Sequence, residues 1–176
     1  MPRTKDGRDD AEVNRLLAGA AKTIARVRYC WLLTEAGTGG ANARPMGRVL
    51  SDADENDWTI RFVTGGRTRK ASEIRRVGKV GLVFQQDQDD AFVVLSGKAV
   101  LIEDASEVGR LWKNAYTAYF PTEAERASAI FVQVNVERMD LWIRGVTQEP
   151  FGLRPTVLKR DAGSTWHLTP ADRNAG

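Results

Sequence analysis

Cysteine and histidine are each present only once in this chain of 176 residues, as Cys30 and His167. One cysteine allows no internal disulfide, and one histidine excludes every metal motif that needs two of them. No apolar run approaches the roughly 18 residues of a membrane span, and the charged N-terminus lacks the apolar stretch of a secretory signal. These features argue against disulfide scaffolds, most metalloenzymes and a membrane location, and they predict a cytoplasmic protein.

Positive charge is concentrated in one segment of an otherwise ordinary globular composition. Hydrophobic residues make up 42% and charged residues 28% of the chain, and the formal net charge is +3. Residues 67–79 contain six arginines and lysines against one acidic residue, Glu73. A patch of this size suits a phosphorylated small molecule better than a long phosphate backbone, so we expect no nucleic-acid partner.

Hydrophobic periodicity predicts a mainly β protein, a small antiparallel barrel with flanking helices. An amphipathic stripe predicts a helix over residues 10–27, and a second helical pattern covers 104–119. Apolar or alternating segments predict six strands. They cover residues 29–34, 43–50, 58–64, 79–84, 91–102 and 130–136. Gly97 inside the fifth strand predicts a bulge where the barrel turns a corner.

The pattern divides the chain into a leader, a domain and an extension. Residues 1–9 are predicted to be a disordered leader and residues 10–145 a single barrel domain. The extension over residues 146–176 is predicted to carry a peripheral hairpin, with strands at 156–160 and 164–168.

A phosphate site is predicted between residues 62 and 76, FVTGGRTRKASEIRR. A strand there enters a Gly-Gly turn and then a short helix, whose first N–H groups favour an anion. Thr64 and Thr68 supply hydroxyl groups, Arg69 a bidentate fork and Lys70 a compact charge. The alternative interpretation of this charge cluster is a solvated basic helix face.

The remaining candidate groups favour structural roles. The acidic segment 51–57 lacks the spacing of a calcium loop, so no metal site is expected. Cys30 lies in an apolar strand with no histidine nearby in sequence, which favours a small buried hydrophobe over a nucleophile. His167 falls in the predicted hairpin as an ordinary surface or edge residue. The five tryptophans lie in apolar patterns and are expected in the core and at interfaces.

Several short motifs follow one another along the chain at specific spacings. They are Ala43-Arg44-Pro45-Met46, Thr68-Arg69-Lys70 before a helix, Leu95-Ser96-Gly97-Lys98-Ala99, Leu111-Trp112, Tyr119-Phe120-Pro121 and Met139-Asp140-Leu141-Trp142. Their order and spacing resemble the pyridoxamine 5′-phosphate oxidase-like flavin-binding split barrels, most closely their general stress protein 26 branch. The resemblance covers about residues 10–145.

This resemblance implies a six-stranded split barrel that forms a homodimer, with FMN bound at the subunit interface. The implied cofactor-binding residues are Arg44, Pro45, Met46, Val63, Thr64, Thr68, Arg69, Lys70 and Trp142. Val63 and Thr64 would line the flavin ring and ribityl chain, while Arg69 and Lys70 would hold the phosphate. Arg48 is the alternative to Arg44 as the flavin-site arginine. In the oxidases, the tryptophan matched by Trp142 approaches the flavin of the partner chain.

The family pattern also has departures that bear on activity. The oxidases carry a histidine in the substrate-binding segment after that tryptophan, whereas residues 143–150 contain none. The resemblance therefore favours an FMN-dependent oxidoreductase of unknown small-molecule substrate rather than a pyridoxamine phosphate oxidase. The alternative is a non-enzymatic flavin-binding stress or sensor protein. A deazaflavin remains open as a related cofactor, whereas the single histidine disfavours haem. An oligonucleotide-binding barrel is disfavoured because the basic residues are predicted on a turn and a helix rather than on the strands.

Overall fold

Long-range strand pairing organises the chain, whose computed structural model describes residues 5–47 and 57–170. The helices are α1 (Lys5–Arg26), α2 (Arg69–Arg76), α3 (Ala105–Leu111) and α4 (Glu123–Ala127). The strands are β1 (Tyr29–Glu35), β2 (Ala41–Gly47), β3 (Thr59–Gly65), β4 (Lys79–Gln86), β5 (Ala91–Ile102), β6 (Ala129–Ile143), β7 (Thr156–Arg160) and β8 (Trp166–Thr169). None of the described helices is long and apolar enough to cross a membrane.

The strands form one antiparallel sheet in the order β2-β1-β4-β5-β6-β7-β8, and β3 pairs with β6 outside this path. Strand β6 is the centre of the arrangement, because it pairs with β5 along its length, with β3 in its first half and with β7 in its second half. Within the described residues, β2 and β3 do not pair with each other, so the sheet stays open. The predicted mainly β, split-barrel fold class is confirmed.

The sheet has eight strands rather than six, because the predicted C-terminal hairpin joins it. Strand β7 pairs with β6, and its Leu158 is completely buried in the main core. On β8, the ring of Trp166 packs edge-on against Trp58 at a centroid distance of 6.1 Å. Inward-facing side chains on alternate positions therefore make the hairpin part of the core, not a peripheral attachment.

The predicted bulge at Gly97 is confirmed. The register between β5 and β6 shifts between Ser96 and Gly97. A Cβ atom on residue 97 would lie 2.1 Å from the carbonyl oxygen of Asn135 on β6. Only glycine lets the two backbones approach this closely, so the pairing at this register shift depends on this residue.

The helices differ from prediction at two places. Helix α1 begins at Lys5, so residues 5–9 of the predicted leader are helical, while residues 1–4 lie outside the described part of the chain. The predicted helix over 104–119 is interrupted, since α3 ends at Leu111 and a separate 3₁₀ turn follows at Asn114–Ala118. Between them, Trp112 has an extended backbone, and its ring packs edge-on against Tyr116 and Phe120.

The core lies between α1 and the inner face of the sheet. The buried apolar positions of α1 repeat at helical spacing, as its stripe predicted; they are Val13, Leu16, Ala20 and Ile24. Cys30 on β1 is 1% exposed and is part of this core, which confirms its prediction as a small buried hydrophobe.

Candidate functional site

Side chains of β1 and β2 meet helix α2 on one side of the sheet. Neighbouring residues on a strand point to opposite faces, so Asn42 and Arg44 lie on the face of β2 that α2 covers, whereas Pro45 lies on the other face and is exposed. Thr34 of β1 is the pairing partner of Asn42 and is buried. The strand register thus places three polar side chains against the helix.

The carboxylate of Glu73 on α2 holds these three side chains together. Thr34 Oγ1 donates to Glu73 Oε2 at 2.5 Å, and Asn42 Nδ2 donates to Glu73 Oε1 at 2.6 Å. Arg44 donates through Nη2 to Glu73 Oε2 at 2.9 Å and through Nη1 to Thr34 Oγ1 at 2.8 Å. The hydrogen bond from Thr34 is the largest cause of a lowered Glu73 pKa, and Arg44 and Asn42 add to it against the opposing effect of burial.

Two further cations of α2 lie beside this network. Burial and the nearby charge of Arg44 lower the pKa of Lys70, which is half-buried. Arg69 Nε lies 3.5 Å from Glu73 Oε1, but the Arg69 side chain is 74% exposed. Arg44, Arg69, Lys70 and Glu73 are called the basic cluster below. With all four ionised, its surplus is two positive charges.

The first turn of α2 adds backbone donors next to the basic cluster. Thr68 caps the helix, since its Oγ1 accepts from Ala71 N at 3.4 Å and donates to the carbonyl of Gly65 at 2.9 Å. The hydroxyl proton of Thr68 is therefore engaged within the chain. The N–H groups of Arg69 and Lys70 open the helix and have no acceptor inside it, so this end favours an anion.

The other basic residues of α2 are paired away from the cluster. Arg75 binds Glu103 and also donates to the carbonyl of Gly66 at 3.0 Å. Arg76 donates to the carbonyl of Glu35 at 2.7 Å and lies 3.4 Å from its carboxylate. The basic segment is therefore divided, and only its N-terminal part faces Arg44.

The remaining predicted residues occupy three different surroundings. Thr64 is buried at the end of β3, and Met46 lies in the main core. Val63 packs instead against a second apolar cluster, which includes Val108 and Phe131. Arg48, the alternative flavin-site arginine, and residues 51–56 of the acidic segment lie outside the described residues.

Trp142 and the pairing partner of Thr64 lie at opposite ends of β6. Trp142 pairs with Phe92, whereas Ile130, twelve residues earlier on β6, pairs with Thr64. At about 3.3 Å per residue, this separation corresponds to roughly 40 Å along the strand. The placement of Trp142 beside a flavin therefore stays a prediction that requires a second chain.

Sequence reasoning missed Thr34, Asn42 and Glu73 as members of the site. One signal was present for Glu73, which is the only acidic residue in the basic segment 67–79 and follows Arg69 by four positions. Thr34 and Asn42 carried no local signal, because they reach Glu73 through contacts 39 and 31 residues apart in sequence.

His167 lies outside this site, in the C-terminal hairpin. Its Nε2 is 2.8 Å from Asp161 Oδ2, and both side chains are exposed. This hydrogen bond lowers the pKa of Asp161. Among the residues that the structure describes, no group of three or more histidine, cysteine, aspartate or glutamate side chains is arranged to hold a metal ion.

Comparison with solved structures places this architecture among known folds. A protein related to general stress protein 26, from Clostridium acetobutylicum, superposes with a TM-score of 0.68 at 17% identity, covering 82% of this chain and 94% of that one. A pyridoxamine 5′-phosphate oxidase-related, FMN-binding protein from Nostoc punctiforme gives 0.63 at 13% identity, covering 96% of each chain. PhzG from Burkholderia lata, in complex with tetrahydrophenazine-1-carboxylic acid, gives 0.63 at 19% identity, covering 91% and 90%.

These identities are low, so the structural similarities establish the fold alone. No curated protein matches the sequence significantly. The family model described as "Pyridoxamine 5'-phosphate oxidase like" matches residues 17–153, which is most of the chain. The match includes β1 to β6 and the whole basic cluster. The chain therefore belongs to the pyridoxamine 5′-phosphate oxidase-like family.

Proposed function

We propose that the protein binds FMN and that the basic cluster holds the FMN phosphate. The observation that carries this proposal is the convergence of Arg44 from β2 with Lys70 from α2, at a helix start whose N–H groups have no acceptor inside the helix. A phosphate monoester carries about −1.5 to −2 charges at pH 7. The surplus of two positive charges in the cluster therefore matches the charge of the ligand.

The donor set fits this cofactor. Arg44 and Arg69 present planar forks to phosphate oxygens, Lys70 supplies a compact charge, and Thr68 fixes the helix end whose N–H groups complete the cradle. Val63 and Thr64, at the end of β3, lead directly into this cradle and are proposed to line the flavin. When bound, FMN supplies the capacity for hydride or single-electron transfer, while this chain binds, orients and shields it.

The outer face of the sheet supports a second copy of the chain as the partner. Trp31 is 48% exposed on β1 and pairs with Pro45 on β2 and with Val83 on β4. Its neighbour on the same face, Leu33, pairs with Ala43. A continuous apolar strip of this kind favours burial in an interface. A homodimer through this face, with FMN at the subunit interface and Trp142 near the flavin of the other chain, is part of the proposal.

Two activities are compatible with FMN binding. The first is a flavin-dependent oxidoreductase acting on a small molecule, which the similarity to PhzG with its bound tetrahydrophenazine acid supports. The second is a flavin-binding stress protein without turnover, which the similarity to the general stress protein 26 relative supports. We favour the oxidoreductase, because a bound flavin carries the redox chemistry itself and needs no further catalytic side chain.

Equilibrium binding of three flavins tests the proposed cofactor. Flavin-free protein is titrated with FMN, riboflavin and FAD, and quenching of flavin fluorescence gives each Kd. We expect FMN to bind at least roughly tenfold more tightly than riboflavin, since the phosphate adds charge-assisted hydrogen bonds of about 1.5–3 kcal/mol. Equal affinities for FMN and riboflavin contradict a phosphate site, and tighter binding of FAD contradicts FMN as the ligand.

Turnover of the FMN-loaded protein separates the two activities. Oxidation of NADH or NADPH is followed in the presence of varied acceptors, with free FMN at the same concentration as the control. A rate well above that of free FMN identifies an oxidoreductase. A rate equal to that of free FMN across all acceptors favours the binding protein.

A further inference from the structure

The guanidinium of Arg44 is held by two side chains, those of Thr34 on β1 and Glu73 on α2. We propose that Glu73, together with Thr34, is a positioning residue, which fixes Arg44 for a phosphate monoester dianion and sets the charge that the site presents. This inference rests on the proposed FMN function and deepens it, because it names what selects the phosphate.

The hydrogen bonds around Arg44 form a closed triangle. The hydroxyl of Thr34 donates to Glu73 and accepts from Arg44 Nη1, while Glu73 accepts from Arg44 Nη2. Arginine carries five N–H donors, and the triangle uses two of them. Among the described residues none accepts a hydrogen bond from the other three, and the orientation of the guanidinium is already fixed. A ligand that binds a fixed side chain loses less free energy to ordering than one that must immobilise a mobile arginine.

Burial makes this arrangement more than a surface ion pair. The side chains of Arg44 and Glu73 are only 15% and 10% exposed, and Thr34 is 2% exposed. Exposed ion pairs contribute little, because water screens them, whereas buried charges interact strongly and require partners. Without Glu73, Arg44 and the half-buried Lys70 would repel each other with no intervening negative charge. The carboxylate thus gives Arg44 a buried counter-charge next to the second cation.

The charge count gives the ligand class. Glu73 offsets one of the three cations of the basic cluster and leaves two positive charges, which a terminal phosphate monoester balances. A phosphodiester carries a single negative charge and leaves one cation without a partner. The site is therefore built for a cofactor that ends in a phosphate monoester, and selection rests on both the position of Arg44 and the surplus charge.

Two variants separate positioning from charge, and a third provides the control. Thr34→Val removes the hydroxyl from the triangle and changes no charge, whereas Glu73→Gln removes the carboxylate charge and adds to the positive surplus. Glu103→Gln removes the partner of Arg75, so it also takes an ion pair from α2 but leaves the basic cluster intact. For each variant, fluorescence titration gives the Kd for FMN and for riboflavin, and circular dichroism gives the melting temperature without flavin.

We expect Thr34→Val and Glu73→Gln each to weaken FMN binding by roughly tenfold, the loss of about one positioned charge-assisted contact. Riboflavin binding should change by less than about twofold, since riboflavin carries no phosphate for Arg44 to contact. Glu103→Gln should leave both affinities unchanged. A loss of FMN affinity in Glu73→Gln, in spite of its added positive charge, identifies positioning rather than net charge as the dominant effect.

Several results overturn the proposal. FMN binding to Glu73→Gln that equals or exceeds the wild-type affinity shows that charge alone governs the site. Parallel losses for FMN and riboflavin, together with a lower melting temperature, show a structural role only. If Glu73→Gln does not fold, Thr34→Val decides on its own. If the wild-type protein binds FMN and riboflavin with the same Kd, the proposed function itself is wrong, and this result is obtained without the variants.

Discussion

Replacing Gly97 by alanine probes the close approach of β5 and β6 directly. The new Cβ would lie 2.1 Å from the carbonyl oxygen of Asn135 and 3.0 Å from Cα of Val136. Both neighbours are backbone atoms of a strand that is paired on two sides, so they cannot move aside as a flexible side chain would. Overpacking of this kind costs about 1–3 kcal/mol, and we expect the upper end, about 3 kcal/mol. For a chain of this size the melting temperature should fall by roughly 6–12 °C.

Thermal and urea unfolding of flavin-free protein, followed by circular dichroism, measures this loss as a lower midpoint at an unchanged urea slope. Gly109→Ala is the matched control, because no atom lies within 4 Å of its added Cβ and the residue is inside helix α3. Alanine in a helix is favoured over glycine by about 0.8–1 kcal/mol, so this variant should be slightly more stable than the wild type. A Gly97→Ala protein that melts within about 1 °C of the wild type would refute the close approach of the two strands.

Three further predictions concern the site, the interface and pH. Lys70→Ala should weaken FMN binding by roughly tenfold, and by more than Arg69→Ala does, because Lys70 is half-buried beside Arg44 whereas Arg69 is 74% exposed. Fluorescence titration with FMN measures both losses, and an equal loss in Arg75→Ala would indicate general electrostatics. Trp31→Glu should convert a dimer into the 19.5 kDa monomer in light scattering, and a wild-type monomer at micromolar concentration rules out the interface. Because the pKa of Glu73 is lowered in the folded protein, the unfolded chain binds more protons, and the free energy of unfolding falls as the pH drops below roughly 4.5. Urea unfolding across this range should show a smaller decrease in this free energy for Glu73→Gln than for the wild type. Equal decreases would contradict the lowered pKa.

Local patterns predicted those parts of the fold that depend on local chemistry. Strand alternation placed β1 to β5 close to their observed bounds, and Gly97 predicted the bulge, because each of these signals is contained in a few consecutive residues. Strand β6 was predicted only over 130–136 and continues to Ile143, because the register shift next to Val136 interrupts the alternation of buried positions. Arg69 and Lys70 were recognised in the same way, from a turn followed directly by a helix. The first four residues of α2 and its N-cap could therefore be predicted from the local sequence, without knowledge of the tertiary structure.

Features set by tertiary pairing were not predictable in this way. The hairpin of β7 and β8 has an ordinary alternating pattern, and nothing in it shows that Leu158 is buried in the main core. The break at Trp112 reflects ring packing against Phe120 across a turn, which overrides the helical periodicity of the segment. The ion pair of Glu73 with Arg44 joins residues 29 apart, so the charge balance of the site emerges only once β2 lies beside α2.

Because β6 pairs with β3, β5 and β7, the sheet can be completed only after β6 has been synthesised. Strand β3 pairs only with β6 among the described strands, and β6 begins 64 residues after β3 ends, so it is synthesised much later. Until then the nascent chain holds β3 without a hydrogen-bonding partner, and the closure of such a distant contact is intrinsically slow. The turn that opens α2 follows β3 directly, so the proposed ligand site gains its final support only after β6 has emerged. Nascent chains that stop before β6 therefore expose an unpaired strand for other chains to bind.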